Sequence, residues 1–229
     1  MSEKKINTSK SFPIDRVMNI LRREMRLWKE PIVTRISRAD EDPQRPFRIL
    51  VSTVLSLRTK DDCTAAASER LFALAQSPQE MSALPVETIA RTIYPVGFYN
   101  TKAKQLKEIC EILLEQYAGR VPDEIDELLK LPGVGRKTAN LVVTLGFGKP
   151  GICVDTHVHR ITNRWGYVKT KNPTETEFAL RELLPKKYWL VINDLLVTYG
   201  QNRCTPQSPR CSECPIAEYC ARTGVQRSR

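Results

Sequence analysis

"LLKLPGVGRKTANLVV", residues Leu128 to Val143, is the stretch on which the reading of this chain turns. Gly133 and Gly135 stand two positions apart between apolar stretches, and Arg136 and Lys137 follow at once. A P-loop does not fit, because Gly133 stands only four residues before Lys137 and the longer glycine-spaced loop is missing. A dinucleotide fingerprint does not fit either, since no third glycine follows at the required spacing and no strand clearly precedes the turn. A helix end, a sharp turn and a helix start do fit. Pro132 stops the first helix, and the glycines let the backbone reverse without a Cβ clash. The second helix then begins with free N–H groups at its positive end, a ready place for a phosphate. The rival reading is a plain connector between packed helices.

The rest of the chain favours the phosphate. Among 229 residues there are 36 Lys and Arg against 26 Asp and Glu, a net charge of +10 that suits a polyanionic partner. Hydrophobic content of 41% is ordinary for a globular protein and sufficient for a real core. No apolar run approaches the roughly 18 residues of a membrane span. The polar start "MSEKKINTSK" shows no targeting segment. The expectation is a cytoplasmic, nucleoid-associated monomer with no membrane partner.

Helical spacing dominates. Ile14, Val17, Leu21, Met25 and Trp28 form one stripe, and Pro46 opens a helix that turns Phe47, Leu50, Val51, Val54 and Leu55 inward. Further helices are expected over Asp61–Ala75 and Val86–Ile93, and from an Asn100 cap to Gly119. Another should open at Pro122 and Asp123 and run into the turn. "KTANLVVTLGF" fits a helix or a buried strand, and its helical neighbours favour helix. Asp155 should cap a helix that carries Val158, Ile161 and Trp165 and ends at Gly166. Apolar runs over Thr174–Leu184 and Lys186–Tyr199 complete an all-α chain, and the quoted stretch becomes a helix–hairpin–helix.

Two further groups carry chemistry. Cys204, Cys211, Cys214 and Cys220 are spaced C-x6-C-x2-C-x5-C, four thiolates able to surround one metal centre. Spacing alone leaves zinc and an iron–sulfur cluster level. Cys63, Cys110 and Cys153 have apolar surroundings and read as core thiols. Lys137 is either one more cation for the phosphate or a nucleophilic amine able to form a Schiff base. As a nucleophile it must be neutral, a state favoured by neighbouring Arg136 and the positive helix end. Asp155 has its own plain role as a helix cap.

"LPGVGRKTAN", then "VDTHVHR" with its aspartate 18 residues after the lysine, then the four-cysteine spacing, resemble the endonuclease III family. The resemblance runs from the Pro46–Asp61 region to Cys220. It implies a two-lobed helix–hairpin–helix DNA glycosylase fold: a six-helix domain over 39–149, and a second unit joining 1–38 to 150–229, with a C-terminal cluster loop. It implies a bifunctional DNA glycosylase/AP lyase acting on oxidised pyrimidines in damaged double-stranded DNA. The four cysteines would hold a [4Fe-4S] cluster, Lys137 would be the nucleophile and Asp155 its partner. Hairpin carbonyls would hold a monovalent cation, K+ or Na+. Gly133, Val134, Gly135 and Arg136 would meet a phosphate, Arg203 and Arg210 others. Phe98, in "GFYNTKA", would wedge into the duplex. The family commonly reads "LSAQTTD" where this chain reads "LSLRTKD", so Arg58 replaces a glutamine facing the orphaned base. The alternatives are a non-catalytic helix–hairpin–helix DNA-binding protein or a mismatched-base glycosylase of the same superfamily.

Overall fold

The computed structural model describes residues 12–25, 28 and 42–229, and among them there is no strand. Helix α1 is Ile14–Met25, α2 Arg45–Ser56 with Pro46 in its first turn, and α3 Asp61–Leu74. A short α4, Pro78–Ala83, lies outside the expected set; the Ser77 side chain caps it by accepting from Glu80 N at 3.2 Å. Helix α5 is Val86–Ile93, as its periodicity predicts.

Two boundaries differ from expectation. Helix α6 is Tyr99–Tyr117, so Asn100 lies inside it; Phe98 precedes it in the left-handed region at φ 60° with no side-chain cap. Its far end closes as expected near Gly119, whose N–H reaches Leu113 O at 2.8 Å. The helix expected from Pro122 shrinks to one turn, α7, Ile125–Leu128, because the chain stays extended through Glu124.

Helix α8, Arg136–Leu141, continues into a π-helical turn, Val142–Gly146, where Thr144 Oγ1 donates to Asn140 O at 2.7 Å. Helix α9 is Thr156–Trp165, closed by Gly166, and α10 is Pro173–Leu183. The run expected over 186–199 is broken: a 3-10 turn, Lys186–Tyr188, precedes α11, Ile192–Asn202.

The apolar faces gather into two clusters. One centres on α2, whose Phe47, Ile49, Leu50, Val51, Val54 and Leu55 are all buried, and it takes in residues up to Val143. The other joins Val17, Met18 and Leu21 of α1 to residues from Ile152 to Ile216. Each large aliphatic side chain buried this way contributes about 1.5–3 kcal/mol. The peptide between Val143 and Ile152 crosses from one cluster to the other, so α8 and α9 meet where the two adjoin. Residue 39, the expected start of the first domain, lies outside the described residues.

Candidate active site

The hairpin turn forms as its residues dictate. Gly133 adopts φ +73°, a conformation L side chains rarely take. Gly135 needs no such freedom: its backbone is extended, and a Cβ there would meet nothing within 4 Å. The turn's outer side is thus open, and the first-turn N–H groups of α8 lack intrahelical partners. Val134 departs from the expected phosphate contact. Its side chain is buried in the first cluster and its N–H closes the turn on Leu131 O at 3.2 Å.

Lys137 stands in the first turn of α8 with its side chain 39% exposed, and its Nζ is 4.0 Å from Asp155 Oδ2. Asp155 is also the expected cap, because its Oδ1 accepts from His157 N at 2.8 Å and Val158 N at 2.9 Å. The two readings of Asp155 are therefore compatible, one oxygen serving each. Lysine and aspartate share a cleft of about 580 Å³ whose walls include Leu141, Val154, Asn193 and Val197. Ligand clefts commonly fall in this size range.

Arg136 is engaged differently from the expectation. Its guanidinium forks onto Glu177 of α10, Nε to Oε2 at 2.8 Å and Nη2 to Oε1 at 2.6 Å. Arg181 reaches the same carboxylate at 3.0 Å. Burial pushes the Glu177 carboxyl up, but the hydrogen bonds from Arg136 and Arg181 outweigh it and hold it below the usual carboxylate value. The ion pair ties the residue beside Lys137 to Glu177 of α10, engaging Nε and Nη2 of that guanidinium. Asn140 bridges further, accepting from Ile152 N at 3.1 Å. Cys110 and Cys153 are buried thiols, as expected, and burial pushes Cys110 up to about 12.

Helix α9 links this site to the cysteines. Near its start His157 lines the cleft, and burial holds its imidazole below the ordinary value. Arg160 Nη2 lies 3.0 Å from His157 Nδ1 and donates to Cys204 O at 2.9 Å. Arg164 donates to Cys204 Sγ at 3.3 Å and to Thr205 O at 2.8 Å. The helix capped by Asp155 thus also staples the cysteine loop. Cys204, Cys211, Cys214 and Cys220 line one cavity, with Tyr199 OH 2.9 Å from Cys214 Sγ. A ring of soft thiol donors beside guanidinium groups suits an iron–sulfur cluster, whose thiolates need positive neighbours. Arg203 is paired with Glu213 and, at 3.5 Å, with Glu24, whereas Arg210 is exposed.

Arg58 and Phe98 come together although 40 residues apart in sequence. The Arg58 guanidinium carbon lies 5.6 Å from the Phe98 ring centroid, and both backbones are left-handed, at φ 53° and 60°. Phe98 is 62% exposed and hence no core residue. Between them Gly97 packs so tightly that a Cβ would stand 2.6 Å from Arg58 O. Beneath lies Lys102, which sequence reasoning missed. It is 4% exposed and donates to Leu55 O at 2.8 Å, Leu57 O at 2.5 Å and Thr59 Oγ1 at 3.2 Å. Desolvation lowers its pKa to about 8. No periodicity flags it, because its partners lie on another loop. Asn193 and His157 were missed as well, because only the folded chain brings them to the wall of the cleft.

Residues 51–186 match the HhH-GPD superfamily of base excision DNA repair proteins, and residues 204–220 match the iron–sulfur binding domain of endonuclease III. The fold and site therefore define a base excision DNA repair protein. The chain is 51% identical over 189 residues to the endonuclease III of Thermotoga maritima, covering 82% of this chain and 88% of that one. It is 40% identical to that of Bacillus subtilis, covering 80% and 84%. A trapped endonuclease III–DNA covalent intermediate superposes with a TM-score of 0.75 at 33% identity, over 90% of this chain and 94% of that one. The chain belongs to the endonuclease III family. It is a DNA glycosylase/AP lyase of base excision repair that binds DNA and carries an iron–sulfur domain. No helix among the described residues is long and apolar enough to cross a membrane.

Proposed function

We propose that the protein removes oxidised pyrimidines with Lys137 as nucleophile and Asp155 as its partner. The observation that carries this reading is the approach of Lys137 Nζ to the uncommitted oxygen of Asp155 inside an open cleft. The damaged nucleotide leaves the stack and enters that cleft. The amine lone pair of Lys137 attacks C1′, and the base departs with the electrons of the glycosidic bond and takes up a proton. Asp155 Oδ2 stabilises the positive charge that develops on the sugar and assists the proton movements. The ring opens to a Schiff base on Nζ. Loss of a C2′ proton then expels the 3′ phosphate by β-elimination, and water releases the lysine.

Around this centre, first-turn amides of α8 beside Gly135 hold one phosphate, and exposed Arg210 meets another. Carbonyls of the hairpin turn are hard oxygen donors suited to K+ or Na+. Phe98 and Arg58 fill the gap in the duplex. Two separate hydrophobic clusters among the described residues support a two-lobed reading, with lobes assigned to 39–149 and to 1–38 with 150–229 and DNA bound between them by a single copy of the chain. Four cysteines around one cavity support a [4Fe-4S] cluster, which serves to hold the loop rather than to react, since four thiolates leave no open ligand position.

The test is borohydride trapping on a panel of duplexes, each with one lesion. Covalent adducts on thymine-glycol and abasic duplexes are expected, from protein carrying about four irons per chain. Absence of an adduct on every duplex overturns the lyase mechanism, and stoichiometric zinc overturns the cluster.

A further inference from the structure

Asn193 stands in the first turn of α11, on the wall of the cleft that also holds Lys137 and Asp155. It is 7% exposed, and its amide nitrogen has no hydrogen-bond partner among the described residues. A buried donor left unpaired is costly, and packing alone does not call for one here. Its neighbours Ile192 and Leu195 supply the second cluster with ordinary aliphatic contacts. One turn further along the same helix face, Val197 lines the cleft, and Leu141 enters it from α8. Two apolar side chains with one unpaired carboxamide suit a pyrimidine-sized ring with a polar edge, whether aromatic or saturated at C5 and C6.

We propose that Asn193 reads the hydrogen-bonding edge of the flipped base, a pyrimidine held by Leu141 and Val197; this rests on the reaction proposed above. A thymine-type edge offers an N3–H donor beside the C4 carbonyl acceptor. A cytosine-type edge offers the reverse, an N3 acceptor beside an amino donor. A carboxamide carries one donor and one acceptor, and a half-turn of its terminal torsion lets it meet either edge. One residue therefore accepts damaged thymines and damaged cytosines alike. A carboxylate in its place only accepts, and it would oppose the carbonyl of one edge and the N3 lone pair of the other.

The test compares single-turnover rates on duplexes bearing thymine glycol or 5-hydroxycytosine with the rate on a preformed abasic duplex, which has no base to read. For Asn193→Ala the ratio of base-bearing to abasic rates should fall about tenfold on both lesions, the scale of a lost buried hydrogen-bonding pair. Asn193→Asp, of nearly the same size, should lower the ratio further. Because no protein hydrogen bond to the amide nitrogen is removed, Asn193→Ala should melt within a few degrees of wild type. An unchanged ratio in both variants, whether the two rates stay level or fall together, overturns the proposal. A wild-type protein that nicks the abasic duplex but releases neither base overturns the proposed substrate, and this inference with it.

Discussion

Two lysines in this chain occupy opposite environments. Lys102 is buried and donates to three oxygens, and desolvation lowers its pKa to about 8. Lys137 is 39% exposed and faces an open cleft with a carboxylate 4.0 Å away. A rule that picks nucleophiles by perturbed pKa would choose Lys102. Geometry forbids that choice: its ammonium points into loop oxygens, where no sugar carbon can come. A depressed pKa marks desolvation, and desolvation serves reactivity only where a substrate can enter. Lys102 instead shapes the loop carrying Arg58, while Lys137 can be approached from the open cleft, as its proposed role requires.

The sharpest way to break this contrast is Lys137→Gln. Borohydride trapping should vanish and nicking of abasic duplex should fall by at least about a thousandfold, with binding of that duplex largely retained. Trapping at the wild-type rate would make another amine the nucleophile, and Lys102 would return as a candidate.

Lys102→Met should do the reverse. Removing the donor leaves the carbonyls of Leu55 and Leu57 without it, a loss of about 2–3 kcal/mol in thermal or denaturant unfolding, while trapping persists below the melting temperature. A pH signature accompanies it. Between about 8 and the roughly 10.4 of an unfolded lysine, the unfolded chain keeps a proton that the folded protein has released. Wild type should therefore gain stability relative to Lys102→Met as pH rises through that window. Parallel stability curves for the two proteins would show that Lys102 is not desolvated in solution.

Phe98→Ala should weaken binding to lesion-bearing duplex by about tenfold, and binding to a single-stranded abasic oligonucleotide much less, because only the duplex must be unstacked. Equal losses would remove the wedge role. The smallest effect concerns Arg58. A guanidinium only donates and matches the acceptors of guanine, so cleavage should be a few-fold faster with guanine than adenine opposite the lesion. Arg58→Gln should flatten that preference. An unchanged ranking with a shallower salt dependence would leave Arg58 as a phosphate contact.

Where interactions are local, the sequence by itself determined the outcome. The Asp155 cap binds amides two and three residues on, the turn at Gly133 needs only its own backbone, and the cysteine spacing confines four thiols to one loop. The misplaced elements are local rules overruled. The start of α6 is displaced from Asn100 because Phe98 takes a left-handed turn against the Arg58 loop, and short α4 has too few residues for a visible period. Only the tertiary structure decided which charges are free. Arg136 is paired to Glu177, 41 positions away, and Lys102 donates to Leu57 O, 45 positions away, at 2.5 Å; neither partner is visible from local sequence. Asn193 became notable only when the cleft formed around it without supplying its amide nitrogen a partner. Periodicity and capping act within a few residues, whereas the pairing of a buried polar group depends on which distant segments the two hydrophobic clusters bring beside it.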